Sequence, residues 1–121
     1  MAKKILIIED NFQTSKILKS KLESVGYHVT QIALGSEGFD AACALLPDLV
    51  ILDLLLAGST DGMWVLKELK KNAKTSKIPV LVLTNLDNQK KETDKLKADG
   101  YLVKANTSLT QIMAAANQLL K

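Results

Sequence analysis

Apolar residues in this chain follow two alternating patterns. Short unbroken runs rich in β-branched side chains read as strands buried on both faces. The segments between them carry apolar residues at helical spacing. The first run is Lys4-Ile5-Leu6-Ile7-Ile8-Glu9. From Asn11 the period changes, and Ile17, Leu18, Leu22 and Val25 are expected on one helical face that stops at Gly26. His28–Ile32 reads as a second, more exposed strand. Ser36 followed by Glu37 reads as the capped start of a helix that continues through Phe39 and Ala42 and is ended by Pro47. The third strand lies in Pro47-Asp48-Leu49-Val50-Ile51-Leu52-Asp53-Leu54. After a loop of small residues from Ala57 to Gly62, a helix turns Val65, Leu66 and Leu69 inward. Ile78–Thr84 is the fourth strand, the polar segment Asp87–Asp99 a helix with a thin apolar stripe, and Tyr101–Val103 the fifth strand. A last helix presents Leu109, Ile112, Met113, Ala116 and Leu119 to the core. Five strand–helix units predict an α/β fold, a parallel sheet covered by helices on both faces and joined by right-handed crossovers.

Composition adds limits rather than a function. The 121 residues suit one domain, without linker or repeat, so a single domain over 1–121 with no output domain is expected. No apolar run approaches the ~18 residues of a membrane span, and the first run ends at Glu9, too early for a signal peptide. Cys43 is the only cysteine and cannot form an internal disulfide, which with the missing signal predicts a cytoplasmic protein. The net charge is +3 and every basic residue is lysine. Without arginine, bidentate recognition of guanine or phosphate is missing, so direct binding to nucleic acid or a membrane is not expected. Lys67, Lys70, Lys71, Lys74 and Lys77 recur at helical spacing and read as a solvated helix face.

The chemistry collects at one edge. In a parallel sheet all strand carboxyl ends lie together, which is where open α/β folds place their sites. Those ends carry Glu9 and Asp10 after the first strand, Asp53 after the third, Thr84 after the fourth and Lys104 after the fifth. Carboxylates crowded in a low-dielectric crevice either take up protons or recruit a cation. Oxygen ligands without His or Cys suit Mg²⁺ or Mn²⁺. A hydroxyl and an ammonium beside them complete a set suited to phosphoryl transfer. The sole histidine, His28, lies on the second strand with no evident partner.

These residues in this order, with KKILIIEDN, PDLVILDL, KIPVLVLT and ADGYLVK around them, resemble the receiver domain of two-component response regulators over essentially the whole chain. The resemblance implies a flavodoxin-like sheet of order 2-1-3-4-5 and transfer of a phosphoryl group from a sensor kinase phosphohistidine, or a phosphotransfer protein, to Asp53. It implies Mg²⁺ ligation by Asp10, Asp53 and the backbone carbonyl of Leu55, with Glu9 acting through a water. Thr84 and Lys104 would stabilise the phosphoryl group, and Tyr101 would turn inward when Thr84 moves. The fourth helix, fifth strand and last helix would then dock a downstream protein or a second copy of the chain, helped by the apolar stretch Ile112–Ala116. Leu55 and Leu86, two residues after Asp53 and Thr84, would exclude hydrolytic water and lengthen the phosphorylated state. Such a protein is a switch that catalyses only its own phosphorylation and dephosphorylation, not an enzyme acting on another substrate.

Some positions depart from the family pattern. Ala57 stands where proline is usual, and the loop before Asp61-Gly62 is one residue longer. Asn85 replaces a smaller residue after the hydroxyl, and Ala105 replaces the proline after the lysine. The departures keep open a second reading, a receiver-like interaction module that is never phosphorylated. An aspartyl phosphatase would want Asp-x-Asp after the first strand, and a nucleotide switch or flavin site a Gly-rich or Ser/Thr-rich loop there. Asn11-Phe12-Gln13-Thr14 supplies neither.

Overall fold

The computed structural model describes residues 2–56 and 61–121. Among them, strands and helices alternate as β1 (Lys4–Ile8), α1 (Phe12–Ser24), β2 (His28–Ile32), α2 (Gly35–Leu45), β3 (Leu49–Leu52), α3 (Gly62–Lys71), β4 (Val80–Thr84), α4 (Lys90–Lys95), β5 (Gly100–Val103) and α5 (Leu109–Leu119). A single 3-10 turn, Lys104–Asn106, joins β5 to α5. The five strands are parallel, as the strand–helix alternation predicts, and lie in the order β2-β1-β3-β4-β5 that the resemblance implies.

Strand alternation divides the core into two apolar layers. Ile5, Ile7, Leu49, Ile51, Leu81 and Leu83 pack with Leu18 and Leu22 of α1 and with Ile112, Met113 and Ala116 of α5. Leu6, Ile8, Val50, Leu52, Val80 and Val82 pack with Ala42 of α2 and with Val65, Leu66 and Leu69 of α3. β1, β3 and β4 carry near-continuous apolar runs because both of their faces are covered.

Helix boundaries and faces differ from the expected ones in four places. On α1 the buried side chains are Ser15, Leu18 and Leu22, while Ile17 and Val25 are 62% and 54% exposed. Ile17 lies ~100° around the helix from Leu18, and Val25 lies beyond the last helical turn. α2 begins at Gly35 behind Leu34, which makes no side-chain cap, so Ser36 falls inside the first turn. The expected helix over Asp87–Asp99 is confined to Lys90–Lys95. Lys97 takes a left-handed conformation, φ +67, and the Asp99 carboxylate instead accepts the Val80 N–H and the Lys70 ammonium, each at 2.8 Å. In α5, Ile112, Met113 and Ala116 are used by the core, so only Ala114 of the Ile112–Ala116 stretch is fully exposed. No peptide bond among the described residues is cis, which makes Lys104–Ala105 trans.

The start of α3 is pressed against the end of β3. Gly62 N–H donates to the Leu54 carbonyl at 3.2 Å, and a Cβ on Gly62 would fall 2.2 Å from the Asp53 carbonyl oxygen and 2.4 Å from Leu54 Cα. Both obstacles are main chain and cannot turn aside. Gly62→Ala is therefore expected to destabilise the protein by ~1–3 kcal/mol, the usual range for overpacking. Denaturant unfolding of the two proteins measures it, and equal stability would mean that α3 can shift away from β3 freely.

Candidate functional site

Register brings the acidic residues together. Ile8 of β1 pairs with Leu52 of β3, so the next residues, Glu9 and Asp53, leave adjacent strands side by side. Their main chains extend the ladder: Glu9 N–H donates to the Ile32 carbonyl and Asp53 N–H to the Ile8 carbonyl, both at 3.0 Å. The alternation that buries Ile7 and Ile51 in the α1–α5 layer places both carboxylates towards α1. There Thr14, Ser15 and Leu18 close the floor around a void of only about 10 Å³. Asp10 is the most open of the three acids, and one carboxylate oxygen from each of Glu9, Asp10 and Asp53 lies within 4.8 Å of the others.

Lys104 closes the cluster from the fifth strand. Its ammonium donates to Asp53 Oδ2 at 2.8 Å and to Glu9 Oε1. The remaining oxygens are also engaged: Asp53 Oδ1 accepts the Leu55 N–H at 3.0 Å, and Glu9 Oε2 accepts the Asn11 N–H at 3.3 Å. Thr84 is fully buried at the end of β4, and its hydroxyl oxygen accepts the Leu86 N–H at 3.4 Å. Tyr101 packs half-buried against the α2–α3 layer. Its hydroxyl donates to the Leu86 carbonyl and accepts the Gln89 N–H at 3.4 Å, fastening the loop between β4 and α4.

The charges are unequal in their settings. Burial pushes Glu9 up to about 7, helped by its hydrogen bond with Asp53 and opposed by the Lys104 ammonium. Burial also raises Asp53, but hydrogen bonds from Glu9, Lys104, the Leu55 N–H and the Thr84 hydroxyl outweigh it and hold that carboxyl below its usual range. Burial lowers Lys104, yet contact with Asp53 and Glu9 raises it on balance. The two neighbouring carboxyls are thus shifted in opposite directions, Glu9 upward and Asp53 downward.

The donor set fits a hard divalent cation. It consists of three carboxylates from two adjacent strand ends, without nitrogen or sulfur ligands. Two full charges no farther than 4.8 Å apart repel by about 3 kcal/mol or more at an effective dielectric constant of ~20, and the single ammonium does not balance three acids.

Glu9, Asp10, Asp53, Thr84 and Lys104 are gathered as expected from the sequence. Tyr101, on β5, lies beyond them, with its hydroxyl bonded to the β4–α4 loop. Leu55 is 51% exposed, whereas Leu86 is half-buried against the α2–α3 layer. Asn11 and Gly62 are supporting residues that the sequence reading did not assign. Asn11 caps α1 through the Thr14 N–H at 3.2 Å and holds Glu9, a role its place before a helical pattern could have signalled. The close approach of Gly62 has no local signal. The loop departures at 57–60 lie outside the described residues.

The structure thus combines a five-stranded 2-1-3-4-5 sheet with three acids at its carboxyl edge, two of them bonded to one lysine. Residues 5–117 match the response regulator receiver domain family, and the chain belongs to it. It is 37% identical to the DNA-binding dual master transcriptional regulator RpaA of Synechocystis sp., over 98% of this chain and 49% of that protein. Among solved structures it is similar to a putative response regulator from Chloroflexus aurantiacus, at 27% identity and a TM-score of 0.91, covering 99% of this chain and 98% of that one. It is also similar to the BeF3-activated N-terminal receiver domain of Klebsiella pneumoniae RstA, at 25% identity and a TM-score of 0.87, covering 98% of each. The chain spans about half the length of the curated relatives it matches. Among the described residues, no helix is long and apolar enough to cross a membrane.

Glu9 sets the pH response. Between 4.5 and about 7 the folded protein retains a proton that the unfolded chain has released, so stability falls as pH rises through that window. Asp53, lowered from 3.8, acts only below that value and in the opposite direction. Thermal melts in a chelator should therefore show a midpoint that declines from pH 5 to 7, and less so in Glu9→Gln. Mg²⁺ should raise the midpoint by mass action, increasingly as Glu9 ionises, and Asp10→Ala should lose that response. A Mg²⁺ response unchanged in Asp10→Ala would exclude Asp10 as a ligand.

Proposed function

We propose that the chain is a phosphoacceptor switch in which Asp53 takes a phosphoryl group from the phosphohistidine of a sensor kinase or phosphotransfer protein. The observation that carries this reading is the Lys104 ammonium bridging Asp53 and Glu9, with Asp10 alongside. An Asp53 oxygen attacks phosphorus, the phosphorus–nitrogen bond breaks, and its electron pair remains on the imidazole nitrogen. The product is an aspartyl phosphate. The Asp53 carboxyl, held below its usual range, is ionised at neutral pH and can act as the nucleophile. Asp10, Asp53 and the Leu55 carbonyl would hold Mg²⁺ or Mn²⁺, with Glu9 acting through a water. The metal, when bound, supplies positive charge to the phosphoryl oxygens. Lys104 then moves from carboxylate oxygens to a phosphoryl oxygen, and Thr84 donates its hydroxyl to another.

The output is docking or onward relay, with no chemistry on a second substrate. The face made by α4, β5 and α5 suits it, for a downstream protein or a second copy of the chain. α4 has six residues and buries only Thr93, which makes it an element of low local stability. The Tyr101 hydroxyl links it to the residue two after Thr84, so movement of Thr84 reaches this face. RpaA is described as DNA-binding; within the 121 residues here, which contain no arginine, the face of α4, β5 and α5 suits a protein partner.

Acetyl phosphate with Mg²⁺ should label the protein once, and Asp53→Asn should abolish labelling without loss of fold. Stoichiometric labelling of Asp53→Asn, read by intact mass, would overturn the assignment, and an unlabelled parent would favour the non-phosphorylated interaction module. Lifetime is a separate matter. With Leu55 and Leu86 flanking the site, the phosphoryl group is expected to be lost slowly. Leu55→Asn with Leu86→Glu should accelerate the loss about tenfold, since that needs only about 1.4 kcal/mol of barrier. No acceleration would place control of water access elsewhere.

A further inference from the structure

Asn85 stands outside the machinery assigned so far. It is exposed, directly follows Thr84, and its Oδ1 accepts the main-chain N–H of Ala105 at 3.0 Å. Ala105 in turn directly follows Lys104. One hydrogen bond therefore joins the residue after the hydroxyl to the residue after the ammonium, across 20 residues of sequence. It forms beyond Thr84 and Val103, the last paired residues of β4 and β5, where the sheet ladder no longer holds the strands together.

The contact has two chemical requirements. Position 85 must carry an acceptor of the reach of Asn, and position 105 must keep its N–H, which every residue except proline supplies. Two positions that stand out separately in the sequence thus meet in one bond. The other ties of the 104–106 turn are local: Thr107 N–H donates to the Lys104 carbonyl at 3.3 Å, and the Thr107 hydroxyl to the Val103 carbonyl at 2.7 Å. Ala105 and Asn106 are exposed and add little packing. The lysine head is held by carboxylates it must partly leave when a phosphoryl group arrives, and its four-carbon stem is flexible. The position of the turn then decides where the ammonium goes.

We propose that Asn85 is a positioning residue that locks the Thr84 loop to the Lys104 turn, so that hydroxyl and ammonium engage the phosphoryl group as one unit. The inference rests on Asp53 being the phosphoacceptor. It is tested by the rate of acetyl phosphate labelling at saturating Mg²⁺, in the parent, Asn85→Ala, Ala105→Pro and the double variant, each with its melting temperature. Each single substitution should slow labelling about fivefold, the worth of one net hydrogen bond. The double variant should be no slower than the slower single, because both changes remove the same contact. The Ala105 amide, followed by NMR exchange, should lose protection in Asn85→Ala and keep it in Asn85→Asp, which retains the acceptor. Unchanged or faster labelling in Asn85→Ala, multiplied losses in the double variant, or an Ala105 amide indifferent to residue 85 would each overturn the proposal. A parent that takes no label would remove the phosphoacceptor reading and this one with it, a result distinct from a labelled parent with indifferent variants.

Discussion

The site depends on the parallel pairing of β1 with β3. Once Ile8 is in register with Leu52, Glu9 and Asp53 must emerge beside each other, and apolar layers on both faces prevent either strand from slipping. Two carboxylates in that position, with Asp10 close by, are a standing electrostatic problem. The protein answers it with one ammonium from the turn after β5 and with burial that raises the Glu9 carboxyl towards its neutral form. Both answers are incomplete, and the residual negative charge suits a hard divalent cation. The same packing that stabilises the sheet therefore creates the demand that the chemistry uses.

Support for the edge is graded. Beneath Glu9 and Asp53 the structure is rigid: ladder bonds fix both main chains, Asn11 caps α1 against Glu9, and Gly62 lets α3 approach the Asp53 carbonyl to within the space of a missing methyl group. Towards β4 and β5 the restraints become single hydrogen bonds, from Tyr101 to Leu86 and from Ala105 to Asn85. Single bonds of about 1 kcal/mol net can be exchanged by a ligand that offers comparable interactions, whereas a packed sheet edge cannot. The side of the site where Thr84 and Lys104 stand is therefore the more weakly restrained one.

The layers of the fold and the acids of the site were legible in the sequence because they follow from period and order. Runs such as Leu49–Leu52 are too short and too apolar for anything but a buried strand, and the residue after each run falls on the carboxyl edge whatever its identity. Faces and boundaries were less legible where local preference and tertiary use disagree. Ile17 fits a helical stripe in the sequence, but Ser15, whose hydroxyl bonds back to the Asn11 carbonyl at 3.0 Å, takes the inner position. The polar segment after Leu86 has helical composition, yet Asp99 is claimed by β4 and Lys70, and α4 ends early. Gly62 and Asn85 were illegible in role because their partners are main-chain atoms far along the chain, which leave no pattern at either position.

Lys104 illustrates why residue identity alone does not fix chemistry. An ammonium on a flexible stem can satisfy any nearby anion, and here it faces two. While both carboxylates lack a divalent cation, the lysine is held by the charges of the acceptor itself. A cation among the acids weakens that hold by competing for the same oxygens, and a phosphoryl group on Asp53 offers the ammonium new oxygens with more charge. On the proposed function, the lysine would be released and recaptured by successive changes in the charge of one cluster, with the turn that carries it directing its movement. Electrostatics would then supply the drive, and the hydrogen bond between the loops after β4 and β5 the aim.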